Sequence, residues 1–87
     1  MFQLDEPWAL APQVAIRPEA FGALAYHFGT RRLSLLKAPI LREVVEALAD
    51  HPSGRSACAA AGVGEAALPA VERALATLAQ SGMIVPR

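Results

Sequence analysis

Two histidines and one cysteine are the side chains of this sequence best suited to proton transfer, nucleophilic attack or metal binding. His27 and His51 fall in separate predicted elements, and Cys58, in the alanine-rich run SACAAAG, has no sequence neighbour that would activate a thiol. The sequence contains no metal-ligand spacing, no phosphate-binding glycine loop and no pair of carboxylates placed for acid–base catalysis. It therefore predicts a protein that is not an enzyme, with no catalytic residue, no metal site and no cofactor.

Each of these side chains has a structural interpretation instead. His27 is expected to be a surface or half-buried residue of a hairpin. His51, beside Pro52, is expected at a helix end, where the dipole favours a cation. Cys58 is the only cysteine, so no disulfide can form within the chain. A single cysteine of this kind is typical of a small buried apolar residue and of a reducing compartment.

The segment YHFGTRRLSLLK, which runs from Tyr26 to Lys37, has the composition of a binding surface. It predicts a β-hairpin that turns at Phe28-Gly29-Thr30, because glycine adopts a positive φ without penalty. Side chains alternate along a strand, so Leu35 and Leu36 must face opposite sides. One packs on the core, and the other lies either in an exposed groove or beneath an N-terminal arm.

The returning strand of this hairpin is basic as well as apolar. Arg31, Arg32 and Lys37 flank its leucines. An edge strand presents unpaired N–H and C=O groups that can pair with another chain. The three charges either keep this edge from pairing with other chains in aggregates or attract an acidic peptide, and both interpretations stay open.

Short strands are predicted around the hairpin. Residues 1–12 are expected to form an extended arm, in which Trp8-Ala9-Leu10 is a short edge strand or a hydrophobic latch. Val14–Arg17 predicts a strand that Pro18 ends, since proline cannot donate to a ladder. Two more strands complete a three-stranded antiparallel sheet, Phe21–Phe28 and Arg32–Lys37.

The rest of the chain predicts helices, because apolar residues recur there at helical spacing. Proline suits the first turn of a helix, serine is a favoured N-cap, and glycine commonly ends a helix. The first helix is predicted to run from Pro39 until His51-Pro52 stops it, and the second from Ser53 to Ala61, with Gly62 as its stop. The third is predicted to begin between Ala67 and Pro69 and to end at about Ser81, after which Met83-Ile84-Val85 folds back as an apolar tail.

Composition limits the class of protein. The 87 residues suffice for a single domain, residues 1–87, with a modest core. The formal net charge is zero, so neither nucleic acid nor an anionic membrane is expected as a partner. No apolar run approaches the ~20 residues of a membrane span, and no basic secretory segment is present, which favours the cytoplasm. A hydrophobic fraction of 54% leaves apolar surface for an interface, and a homodimer remains open.

Three strands followed by three helices predict an α+β, winged-helix-like fold. DNA binding is the usual function of that fold, but the third helix offers only Arg73 beside Glu65 and Glu72, too few cations to neutralise phosphates. A winged-helix DNA-binding or regulatory protein therefore remains the alternative, with Arg31 and Arg32 as a wing contact.

Three long segments carry a resemblance to a known family: FGALAYHFGTRRLSLLK, RSACAAAGV and LPAVERALATLAQSGMIVPR. They resemble the RiPP recognition elements, small domains related to the pyrroloquinoline quinone peptide chaperone. The similarity is closest to the chaperones of the mycofactocin pathway. One difference is that Lys37-Ala38-Pro39 stands where many relatives place an Asp or Asn that caps the first helix.

The resemblance implies a peptide chaperone without catalytic activity. Family members bind the leader of a ribosomally made precursor peptide as an added strand, beside the third strand and the third helix, and present it to a radical S-adenosylmethionine maturase. The leader is expected to be acidic. Carried onto this sequence, the peptide-binding residues are Arg31, Arg32, Leu33, Ser34, Leu35, Leu36 and Lys37 of the strand, and Val71, Ala74 and Leu75 of the helix.

Overall fold

The computed structural model describes residues 2–87, so Met1 of the predicted arm lies outside the described residues. The predicted α+β class is confirmed: a three-stranded antiparallel sheet is followed by three helices, and a second, two-stranded sheet is added. The elements are β1 (Trp8–Leu10), β2 (Val14–Glu19), β3 (Gly22–His27), β4 (Arg32–Leu36), α1 (Pro39–Ala47), a 3-10 turn (Leu48–Asp50), α2 (Gly54–Ala60), α3 (Leu68–Gln80) and β5 (Ile84–Pro86).

The three-stranded sheet has the order β2-β3-β4, with both pairings antiparallel. β2 does not end at Pro18 but continues to Glu19, because an edge strand tolerates a residue without an N–H on its open side. Glu19 pairs with Gly22, which adopts φ 148° at the start of β3. A Cβ at Gly22 would overlap the carbonyl oxygen of Leu36, so only glycine fits there.

The turn between β3 and β4 depends on His27 and Arg31 rather than on Gly29. Arg31 adopts φ 61°, whereas Gly29 has no positive φ, so the prediction that Gly29 supplies it is wrong. Buried His27 accepts hydrogen bonds at Nδ1 from the backbone N–H groups of Gly29 and Thr30, at 3.0 and 3.1 Å. A buried imidazole thus replaces glycine as the residue that shapes this turn.

Small side chains on the inner face of the sheet let the helices pack closely. Ala23 and Ala25 of β3 are buried, and Leu36 of β4 is 1% exposed. These residues join one hydrophobic core with the buried faces of the helices, which include the fully buried side chains of Val44, Val45, Leu48, Cys58 and Leu75.

The three helices begin close to their predicted positions. α1 starts at Pro39, although Ala38 before it provides no side-chain cap. The hydroxyl of Ser53 caps α2 by accepting a hydrogen bond from the N–H of Ser56 at 3.0 Å. α3 starts at Leu68, inside the predicted interval. No helix of residues 2–87 is long and apolar enough to cross a membrane.

The two ends of the described chain pair with each other. β1 runs antiparallel to β5, with Trp8 opposite Pro86. Trp8 is buried, and its indole N–H donates to the carbonyl of Gln3 at 2.7 Å. The predicted arm is therefore a strand at Trp8–Leu10, and the apolar tail is its partner.

Candidate functional site

β4 is an edge strand. Within the described part of the chain it pairs only with β3, from Arg32 opposite His27 to Leu36 opposite Ala23. The main-chain N–H and C=O groups on its outer side are therefore available to another extended chain. The opposite edge of the sheet, β2, contains Pro18, which has no N–H to offer.

A groove of about 290 Å³ separates β4 from α3. It is lined by Ser34, Leu35 and Leu36 of β4, Leu41 of α1, and Ala74, Thr77 and Leu78 of α3. Every one of these side chains is apolar or carries a single hydroxyl, and none is charged. The groove therefore suits aliphatic side chains delivered by a chain that lies along β4.

The structure brings only some of the predicted helix residues to this groove. Ala74 lines it, but Val71 and Leu75 are 6% and 0% exposed and belong to the core. Val71 and Leu75, which the family resemblance had indicated, lie on the face of α3 that packs on the core. The groove instead uses the adjacent row of α3, which includes Thr77.

Leu35 and Leu36 face opposite sides of the sheet, as strand alternation requires. Leu36 is buried on the inner side, at the floor of the groove. Leu35 is 52% exposed at the rim of the groove, so the N-terminal arm does not cover it. Leu33 is also exposed but does not line the groove.

Positive charges without an ionic partner lie at both ends of β4. Arg31 directly precedes β4, Arg32 is its first residue, and Lys37 follows its last residue. All three are exposed and form no salt bridge with any of residues 2–87. The salt bridges that do form are Arg17–Glu19, Arg42–Glu46 and Arg55–Asp5. Both ends of β4 therefore carry exposed positive charge.

Three residues line the groove that the sequence did not single out as binding residues: Leu41, Thr77 and Leu78. Leu78 also belongs to the hydrophobic core. Thr77 lies three residues after Ala74, which is close to one helical turn, so helical spacing could have indicated it. Leu41 belongs to the apolar stripe of α1, and nothing in the sequence distinguishes it from the core positions of that stripe.

The side chains considered for covalent chemistry have structural surroundings. Cys58 is 1% exposed, and burial raises the pKa of its thiol, which makes it a poor nucleophile. His51 lies with its Nδ1 3.4 Å from the hydroxyl of Ser56. Among residues 2–87 there is no group of three His, Cys, Asp or Glu side chains that could hold a metal ion.

Comparison with known proteins identifies the family. Residues 7–85 match the family model described as the peptide chaperone MftB family. The MftB peptide chaperones of Mycobacterium tuberculosis and Mycobacterium ulcerans are each 55% identical over 86 residues, which cover 99% of this chain and 79% of theirs. That of Mycolicibacterium smegmatis is 55% identical over 85 residues, which cover 98% of this chain and 83% of its own. No solved structure matches the chain.

The resemblance carried by the sequence segments is thereby confirmed. A chaperone of this kind has a peptide as its partner and catalyses no reaction. With a family model that spans nearly all of its length and relatives that share more than half of its residues, the chain belongs to the MftB peptide-chaperone family.

Proposed function

We propose that the chain acts as one peptide-binding domain that binds the leader of a ribosomally synthesised precursor peptide by strand addition. It presents this leader to a radical S-adenosylmethionine maturase in mycofactocin biosynthesis. The observation that carries the proposal is the open edge of β4 beside an uncharged groove. A cytoplasmic location fits the single reduced Cys58.

A leader bound along β4 extends the sheet from three strands to four. Side chains alternate along the added strand, so every second one enters the groove between β4 and α3. About four or five main-chain hydrogen bonds contribute about 1 kcal/mol each, and about two buried aliphatic side chains contribute about 2 kcal/mol each. After the cost of ordering the leader, we expect a micromolar to submicromolar dissociation constant.

The charges around β4 support an acidic leader. Arg31, Arg32 and Lys37 are exposed and form no salt bridge with any other described residue, so a carboxylate of the leader would not have to displace an internal partner. Exposed ion pairs are screened by salt, so the affinity should fall as the ionic strength rises. The same charges raise the association rate.

Calorimetric titration with the precursor peptide of the same organism tests this function. We expect one peptide to bind one chain, with a dissociation constant that rises between low and moderate salt. A peptide that releases no heat and shows no binding by fluorescence anisotropy at either salt concentration would contradict the proposal.

Two variants locate the binding. Ser34→Pro places a residue without an N–H in the middle of β4 and should abolish peptide binding, provided that circular dichroism shows the fold to be retained. Arg32→Glu should weaken binding about tenfold at low salt and flatten its salt dependence. Arg73→Glu, a charge reversal outside the groove, is the matched control. Equal affinities for these two charge variants would remove the electrostatic part of the proposal.

A homodimer formed through β4 would use the same main-chain groups as the leader. Peptide binding and pairing of two copies along this edge therefore exclude each other. In sedimentation experiments, we expect addition of the leader to convert any dimer into a complex of one chain with one peptide.

A further inference from the structure

The outer face of the three-stranded sheet carries large apolar side chains that no element of residues 2–87 covers. Tyr26 lies opposite Leu33, and Leu24 lies opposite Leu35, so these four share one face of β3 and β4. Phe28 is 63% exposed and extends the face, because its ring packs edge-on against that of Tyr26, with the two ring centroids 5.0 Å apart. The outer patch is defined by these residues: Leu24, Tyr26, Phe28, Leu33 and Leu35.

In a half-buried strand the larger apolar side chains usually face the core, whereas in β3 they face outward, into the outer patch. Among the described residues, Leu24 and Tyr26 neither belong to the core cluster nor pack against it. On the inner face of the same strand, Ala23 and Ala25 are buried. Leu33 remains 57% exposed. Scattered exposed leucines are ordinary, but a contiguous apolar patch on a sheet face is typical of an interface.

We propose that the outer patch is the docking surface for the enzyme that modifies the peptide. The enzyme would meet it with a complementary apolar surface, since the exposed side chains of the patch, Phe28, Leu33 and Leu35, are uncharged. This inference rests on the proposed function, because it assigns a surface to the second partner of a peptide-presenting chaperone.

A second copy of the chain fits this surface poorly. Three strands about 4.8 Å apart, each with about five residues at about 3.3 Å, cover only about 240 Å². A stable interface needs about 800 Å² from each partner. A larger partner can reach beyond the patch and bury more surface around it.

The outer patch is continuous with the proposed binding edge. A leader added to β4 lies in the same sheet, so the side chains that do not enter the groove point to the same side as Leu33 and Leu35. The bound leader therefore widens the patch by one strand. The groove side holds the leader, and the outer side offers the enzyme a surface that is larger when the chaperone is loaded.

Binding of the purified modifying enzyme to the full chain, with and without the precursor peptide, tests this inference. We expect the enzyme to bind the loaded chain at least threefold more tightly than the empty one. Tyr26→Ser combined with Phe28→Ser should weaken enzyme binding at least tenfold, because both side chains leave the patch. Peptide affinity should change less than twofold, since neither residue lines the groove. Ala60→Ser, on the exposed surface of α2, is the control.

Three outcomes would overturn the inference. One is enzyme binding by the folded double variant within twofold of the unsubstituted chain. Another is equal enzyme affinity of the loaded and empty chains. A third is a dimer of the unsubstituted chain that the double variant converts to a monomer, since the patch would then bind a second copy. Leu24→Gln repeats the test if the double variant melts early. Failure of the proposed function would be seen separately, as loss of peptide binding by the unsubstituted chain.

Discussion

Gly22 is the residue whose identity the sheet constrains most tightly. Its φ of 148° is open to glycine and strained for other residues. An added Cβ would meet the carbonyl oxygen of Leu36 and the backbone of Ala38. The absence of a side chain at Gly22 therefore lets the end of β4 lie against the start of β3 and directs the chain into α1.

Replacing Gly22 tests this constraint. Gly22→Ala should lower the free energy of unfolding by about 3 kcal/mol, through backbone strain and overlap with Leu36. Gly64→Ala is the matched control, because no atom of the described residues lies within 4 Å of its Cβ position and its φ is not positive. That control should change stability by less than about 1 kcal/mol. Urea denaturation followed by circular dichroism measures both, and similar midpoints for the two variants would contradict the argument.

The ion pair between Asp5 and Arg55 makes stability depend on pH in the acid range. The side-chain hydrogen bond from Arg55, at 2.6 Å, lowers the pKa of Asp5 in the folded chain. The folded state therefore binds fewer protons than the unfolded state, so this stabilisation is present above the unfolded pKa of about 3.9 and is lost as the pH falls through the folded pKa. The effect is small, because both side chains are exposed.

Asp5→Asn should therefore reduce the drop in melting temperature between neutral and acid pH. Arg55→Gln should reduce it equally, since either change removes the same hydrogen bond. Thermal melts at a series of pH values measure the slope of the melting temperature against pH. An unchanged slope in both variants would show that other carboxyl groups determine the acid sensitivity.

At the scale of elements, α3 divides two apolar concavities. One side contributes Ala74 to the groove beside β4. The other contributes Ala76 to a cavity of about 610 Å³, which Phe2 and Trp8 also line. Two alanines that are two positions apart on one helix therefore give a matched pair of substitutions.

Ala74→Phe should weaken peptide binding at least tenfold, because the added ring fills the groove that would receive the aliphatic side chains of the leader. Ala76→Phe places the same ring on the other side of α3 and should leave the affinity within twofold. Calorimetry gives both affinities, and thermal melts check the fold. If both variants bind the peptide alike, the groove does not receive the leader.

Local signals explain why the helices could be predicted closely from the sequence. Ser53 caps α2 through its own hydroxyl, and Gly82 adopts φ 77° after the end of α3. Such features depend on a few neighbouring residues. The edge strand and its charges were predictable for the same reason, since the segment from Tyr26 to Lys37 forms one hairpin.

The faces of the elements could not be predicted in this way. Periodicity identifies an apolar stripe on α3 but not what packs against it. Val71 and Leu75, which the family resemblance named as peptide-binding residues, are buried in the core. The pairing of β1 with β5 joins distant segments and leaves no local signal. Arg31 provides another case, because non-glycine residues with positive φ have no simple sequence pattern.

At the scale of the whole molecule, Arg87 connects the end of β5 to the residue before β1 and to the end of the 3-10 turn. The backbone N–H of Arg87 donates to the carbonyl of Pro7 at 3.1 Å, ahead of β1. Its guanidinium donates to the carbonyls of Ala49 and His51, at the end of the 3-10 turn. Arg87 thus satisfies carbonyl groups that a helix end leaves free.

Arg87→Ala should lower the free energy of unfolding by about 1 kcal/mol, because the carbonyls of Ala49 and His51 lose charged donors but remain close to solvent. Arg73→Ala on α3 is the control, since its side chain makes no hydrogen bond or salt bridge with the described residues. Chemical denaturation compares the two. A loss as large for Arg73→Ala would indicate a general effect of charge rather than of these bonds.

The pairing of Trp8 with Pro86 also constrains the order in which the protein assembles. The hairpins β2–β3 and β3–β4 close over short loops, whereas β1 and β5 must find each other across nearly the whole chain, and closing a longer loop costs more entropy. The two-stranded sheet is therefore expected to form last during refolding and to fray first. Because Trp8 is the only tryptophan, its fluorescence reports this final step selectively, while far-ultraviolet dichroism follows the earlier formation of the helices.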